Sequence, residues 1–138
     1  MKQLLVVLVL ISAIHFGCKK SSDNIPRVPV NEYINLSLPS YNSLNIAGNW
    51  IYYPAGNKGL IIYKVSDGNF TALDRTCSYD PTVGTSIVYG ISNNIYGVDS
   101  VCGSRFSLID GSVFKGPATH SLLRYQTYYD GAILHIFN

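Results

Sequence analysis

The sequence predicts an all-β domain, an antiparallel sandwich or barrel, on three observations. Its apolar residues fall into short alternating or β-branched and aromatic runs, such as Tyr33 to Leu38, Trp50 to Tyr53 and Leu60 to Val65. Gly, Asn, Asp and Pro clusters punctuate those runs at Pro39-Ser40, Ala47-Gly48-Asn49, Gly56-Asn57 and Asp67-Gly68-Asn69. Beyond the N-terminal segment no long stretch carries a 3.6-residue apolar stripe, so no amphipathic helix competes with the strand reading. The 11 tyrosines suit many short strands and read as packing residues with their hydroxyls at the surface.

The chain opens with a basic Met1-Lys2-Gln3 and an apolar run from Leu4 to Phe16, then Gly17-Cys18. A stable membrane span needs about 20 apolar residues, so this run is too short for one and suits a signal-peptide core, placed at 1–17. A cysteine after a small residue at this point is similar to a bacterial lipobox, which implies lipid on Cys18 and attachment of the mature chain to a membrane. The alternative is an ordinary cleaved signal. Both readings place the protein in the cell envelope, lipid-anchored in the first, at the outer membrane or the periplasmic face of a membrane.

Residues 18–30, polar and interrupted by Pro26 and Pro29, read as a flexible tether, because such composition buries too little apolar area to offset its ordering entropy. The roughly 120 residues from Cys18 suffice for one domain, placed at 31–138. With 10 Lys and Arg against 8 Asp and Glu there is no basic stripe, which argues against a nucleic-acid partner. If Cys18 carries lipid, Cys77 and Cys102 remain as an even pair in a compartment where disulfides persist.

The first half of the domain supplies the strands already named. A strand from Phe70 to Asp74 delivers a loop, Arg75 to Pro81, with Cys77-Ser78-Tyr79 at its centre. The excursion that follows reads as a hairpin, Ser86 to Ile91 and Ile95 to Val98, turning at Ser92-Asn93-Asn94. It returns the chain to a second loop, Asp99 to Gly103, so the two cysteines, about 25 positions apart, come to neighbouring loop tips. Asp110-Gly111 separates Phe106 to Ile109 from Ser112 to Phe114, and Asp130-Gly131 closes a last hairpin of Arg124 to Tyr129 and Ala132 to Phe137.

Cys77-Ser78-Tyr79, then Asp99 to Cys102, then Gly103-Ser104-Arg105-Phe106 and Gly116-Pro117-Ala118 resemble the Rieske iron-sulfur domain. That family carries Cys-x-His and Cys-x-x-His on two loops, followed by Gly-Ser-x-Phe or Tyr and by Gly-Pro-Ala. The resemblance implies a Rieske-like fold with a small inserted two-loop subdomain at about 73–119. It also implies that the ligand set is broken. Cys77 matches the first cysteine, Tyr79 stands for the first histidine, Asp99 for the second cysteine and Cys102 for the second histidine. Tyrosine and aspartate are oxygen donors, poorly matched to an iron-sulfide core that takes thiolate and imidazole. Ser104, which in the family hydrogen-bonds a bridging sulfide, is kept, whereas Phe106 offers no hydroxyl. Gly116 and Pro117 mark the loop that in the family covers the cluster.

Neither remaining histidine restores the set: His120 reads as a surface loop residue near the site, and His135 as a structural residue of the last strand. The resemblance therefore implies a domain with no cofactor, its loops joined by a Cys77–Cys102 disulfide worth roughly 3–4 kcal/mol in the chain-entropy model. Lesser candidates are an Asp80–Asp99 carboxylate pair for a cation and an anion site at Arg105 and Arg124, against surface ion pairing. The expected function is non-enzymatic: an envelope lipoprotein acting as a structural or interaction module toward an unknown envelope protein. The alternatives are electron transfer by a true [2Fe-2S] centre and a redox-active disulfide.

Overall fold

The computed structural model describes residues 25–91 and 95–138. The signal segment at 1–17, Cys18 and the Ser92-Asn93-Asn94 turn lie outside them. The strands are β1 (Asn31–Asn35), β2 (Trp50–Tyr53), β3 (Leu60–Ser66), β4 (Asn69–Asp74), β5 (Val88–Gly90), β6 (Tyr96–Asp99), β7 (Arg105–Ser107), β8 (Val113–Lys115), β9 (Arg124–Tyr129) and β10 (Ile133–Phe137). They form two antiparallel sheets. The larger has the order β1-β10-β9-β4-β3-β2, and the smaller, β5-β6-β7-β8, is inserted between β4 and β9. No helix among the described residues is long and apolar enough to cross a membrane.

The β3-β4 pair is the wall the two sheets share, and the two-residue period of a strand explains how one run serves both sides. Leu60 and Ile62 of β3 and Phe70 and Ala72 of β4 point into one core with Ile34, Leu36, Leu44, Tyr125, Leu134 and Ile136. Ile61 and Tyr63 of β3 and Leu73 of β4 point the opposite way, into a second core with Cys77, Val88, Phe106, Leu108, Ala118 and Leu122. Both faces being covered is why Leu60 to Tyr63 reads as a continuous apolar run rather than a clean alternation. Each fully buried Leu or Ile here contributes about 1.5–3 kcal/mol. Thr71 fastens the wall to the inserted sheet, its hydroxyl donating to the carbonyl of Ile109 at 2.7 Å.

Three departures from the sequence reading have physical causes. The first strand stops at Asn35, whose side chain accepts from the Ser37 amide at 2.9 Å. A 3-10 helix, Pro39–Asn45, follows and buries Leu44 where a turn alone was expected. The domain also begins earlier than Asn31, since Val30 is buried and exchanges bonds with Asn138. Finally, not all tyrosine hydroxyls reach the surface. The Tyr125 phenol is buried and donates to Asp74, and Tyr53 donates to Glu32 at 2.9 Å.

Candidate functional site

The inserted sheet brings the two cysteine loops to one place. The first loop leaves β4 and is held by an isolated bridge from Thr76 to Ile87. The second leaves β6, and Asp99 and Ser104 close it through the Asp99 amide on Ser104 O at 2.9 Å and the Gly103 amide on Asp99 O at 2.8 Å. Gly103 sits at φ +76°, a left-handed conformation that a side chain disfavours, which lets the chain reverse directly after Cys102.

Cys77 is buried in the second core and Cys102 is half-buried beside it. Their sulfurs are 3.7 Å apart, as the expected convergence requires. Both are free thiols, however, separated by more than the roughly 2.05 Å of a disulfide. The third member is Asp99, fully buried, and the two sulfurs and its carboxylate all lie within 4.8 Å of one another. Asp99 was expected at an open loop tip, within reach of Asp80. Instead it faces the sulfurs at the end of β6, and among the described residues the group able to hold a metal is Cys77, Asp99 and Cys102, without Asp80.

The hydrogen bonds around Asp99 fix its charge. Burial works against ionisation, but donors from Ser86, Cys77 and the Val101 and Cys102 amides outweigh it, so the carboxyl lies below the usual carboxylate range. The Ser86 hydroxyl and the Val101 amide donate at 2.6 and 2.7 Å. Cys77 moves the other way. Burial first, then the hydrogen bond and charge of Asp99, raise its thiol, and the Tyr79 amide only partly offsets them. The proton of the pair therefore rests on sulfur, and a protonated buried thiol is a poor nucleophile.

The remaining positions singled out in the sequence fall into place around this group. Ser104 is fully buried and its hydroxyl accepts from Cys102 at 3.0 Å and from the Ala118 amide at 2.9 Å. It thereby ties the second cysteine loop to the loop of Gly116 and Pro117, whose peptide bond is cis. Phe106 is buried in the core beneath. Tyr79, expected at the first imidazole position, is 55% exposed. The His120 carbonyl accepts from the Ser78 hydroxyl, which joins the proline loop to the first cysteine loop as well.

His135 stacks on Tyr33, ring centroids 4.1 Å apart, and bonds Asn31, a structural role in the larger sheet. Arg105 lies over the Tyr96 ring, while Arg124 is exposed beside Arg27 in a surface cavity. Sequence reasoning missed Ser86 and Lys58, whose ammonium binds the carbonyls of Val83 and Ser86 and braces the first loop. Both act across long sequence separations and carry no local signal.

No family model matches the sequence, and no curated protein does so either. Solved structures do match the shape. The plasma membrane Rieske protein of the cyanobacterium Synechocystis PCC 6803 superposes with a TM-score of 0.56 at 20% identity, over 80% of this chain and 99% of that one. The ferredoxin of carbazole 1,9a-dioxygenase from Nocardioides aromaticivorans IC177 superposes with a TM-score of 0.51 at 14% identity, over 80% and 97%. The ferredoxin in a complex with the oxygenase of carbazole 1,9a-dioxygenase gives 0.52 at 16% identity, over 80% and 94%. With two cysteine loops set on an inserted four-stranded sheet and covered by a Gly-Pro loop, the chain has a Rieske-like fold.

Proposed function

We propose that this is a cluster-free Rieske-like domain, a non-enzymatic structural or interaction module held at a bacterial envelope by lipid on Cys18, with an unidentified envelope protein as partner. A Rieske cluster takes two thiolates on one iron and two imidazoles on the other. The donors gathered here are two thiols and a carboxylate, with an exposed tyrosine at the first imidazole position and a cysteine at the second. They do not fit that cluster, and this mismatch is the observation that carries the reading. The loops stay assembled without it through Ser104, Ser78 and the Cys77–Asp99–Cys102 group.

The test is the visible spectrum of protein purified without reductant, together with iron and acid-labile sulfide analysis. A colourless protein with substoichiometric iron is expected. Visible absorption with two irons per chain overturns the reading in favour of electron transfer, the second reading, which rests on the fold shared with ferredoxins.

The 3.7 Å approach of the sulfurs also leaves a disulfide within reach of a small loop movement. Its reduction potential separates the two uses of such a bond: a value below about −300 mV marks a structural bond, a higher one a redox-active bond.

A further inference from the structure

The loop tips carry three features that suit a single bound metal ion. The first is spacing. Two thiolates bound to one tetrahedral ion at about 2.3 Å each stand roughly 3.7–3.8 Å apart, and the Cys77 and Cys102 sulfurs stand 3.7 Å apart. The second is the backbone. The Ser104 amide meets the Cys102 sulfur at 3.4 Å. An N–H aimed at sulfur stabilises a thiolate strongly and a neutral sulfur weakly, so this amide is suited to a bound thiolate. The third is Asp99, an oxygen donor within 4.8 Å of both sulfurs, oriented by the Ser86 hydroxyl and the Val101 amide as a ligating carboxylate is in metal centres.

From this geometry we propose that Cys77, Cys102 and Asp99 bind a single Zn2+ ion, with water at the fourth tetrahedral position on the half-exposed Cys102 side. The donor chemistry selects the metal. Two soft thiolates disfavour Mg2+ and Ca2+, the carboxylate disfavours Cu+, and a d10 ion accepts the mixed set without a geometric penalty. Binding releases two protons, one from each thiol. The three ligands carry three negative charges against the ion's two positive ones. The residual charge is spread over the Ser104 and Val101 amides and the Ser86 hydroxyl. The ion would pin the loop tips that a cluster occupies in other Rieske-like domains, so the inference rests on the cluster-free reading.

The experiment uses the full chain purified from membranes in chelator-free buffer. It combines metal analysis, intact mass, and titration of chelator-stripped, reduced protein with Zn2+ and with Co2+. One zinc per chain is expected, with cobalt giving the ligand-field bands of a tetrahedral site and a sulfur-to-cobalt charge-transfer band. Cys102→Ser and Asp99→Asn should each weaken zinc binding by more than about 100-fold and Ser86→Ala by about 10-fold, while Asp80→Asn leaves it unchanged.

Reduced protein that takes up neither ion overturns the site. So does a native chain two mass units light with no titratable thiols and no zinc, and both results leave the cluster-free reading standing. Two irons with labile sulfide overturn both. Circular dichroism of each variant shows that lost binding is not lost folding.

Discussion

Two buried aspartates, one in each half of the molecule, use the same functional group in opposite ways. Asp74 ends β4, beside the large core. Its Oδ1 accepts from the Thr76 amide and hydroxyl and from the Lys58 amide, and its Oδ2 from the Asn57 amide and the Tyr125 phenol. Every one of these donors is neutral and most are backbone, so the carboxylate is saturated and organises the chain around it. Asp99 accepts from one hydroxyl, two amides and a thiol, and lies against two sulfurs. The difference teaches that burial alone does not mark a chemical site. What marks it is the kind of partner left within reach once the backbone donors are counted.

The same isosteric change at both positions is the sharpest way to break this comparison. Asp74→Asn turns an amide NH2 toward backbone N–H groups in either rotamer, because both carboxylate oxygens accept from backbone. We expect a loss of at least about 3 kcal/mol, read from the urea midpoint. A loss under half of that would remove the distinction between the two residues.

Next in size is Gly90→Ala. A Cβ at Gly90 would lie 2.6 Å from Trp50 Cε2, where β5 meets β2, so the inserted sheet must shift on the larger sheet. About 1–3 kcal/mol of destabilisation follows from such overpacking. Thermal unfolding checks it, and an unchanged midpoint would show that the two sheets are loosely docked.

Asp99→Asn should cost less, under about 1 kcal/mol in chelator-treated, reduced protein. The amide oxygen can keep the Val101 N–H while the Ser86 hydroxyl rotates to accept from the NH2. Stability of metal-free protein in urea is the measurement, and a loss matching that of Asp74→Asn would make both residues structural.

The smallest effect belongs to Tyr53. Burial, then the hydrogen bond and charge of Glu32, raise its phenol to about 12. A folded value above the unfolded one, near 10, means that the stabilisation is complete below about pH 10 and is lost as pH rises toward 12. Comparing wild type with Tyr53→Phe across that window should show the wild type losing more stability. Parallel curves would rule the linkage out.

How much of this was legible beforehand depends on the range of the interaction that decides it. The hairpin turns at Asp110-Gly111 and Asp130-Gly131 were readable because a turn needs only its own residues, and both glycines adopt positive φ, +82° and +106°. The convergence of Cys77 and Cys102 was readable because the intervening hairpin sends the chain back on itself. Asp99 was read as an ill-suited cluster ligand and as a candidate partner of Asp80 at the loop tips. Nothing local announces that Ser86, 13 positions earlier, delivers a hydroxyl to it. Likewise, neighbours of Gly90 in sequence say nothing of the Trp50 ring against it.

The sequence by itself determined the all-β class and the turns at Asp110-Gly111 and Asp130-Gly131, since period and turn chemistry are local properties. The tertiary structure alone decided which side of β3 and β4 faces which core, and that the Asp99 carboxylate is buried against the two sulfurs. Those outcomes depend on strands paired across long stretches of chain, where side-chain contacts are set by register and burial rather than by neighbours in sequence.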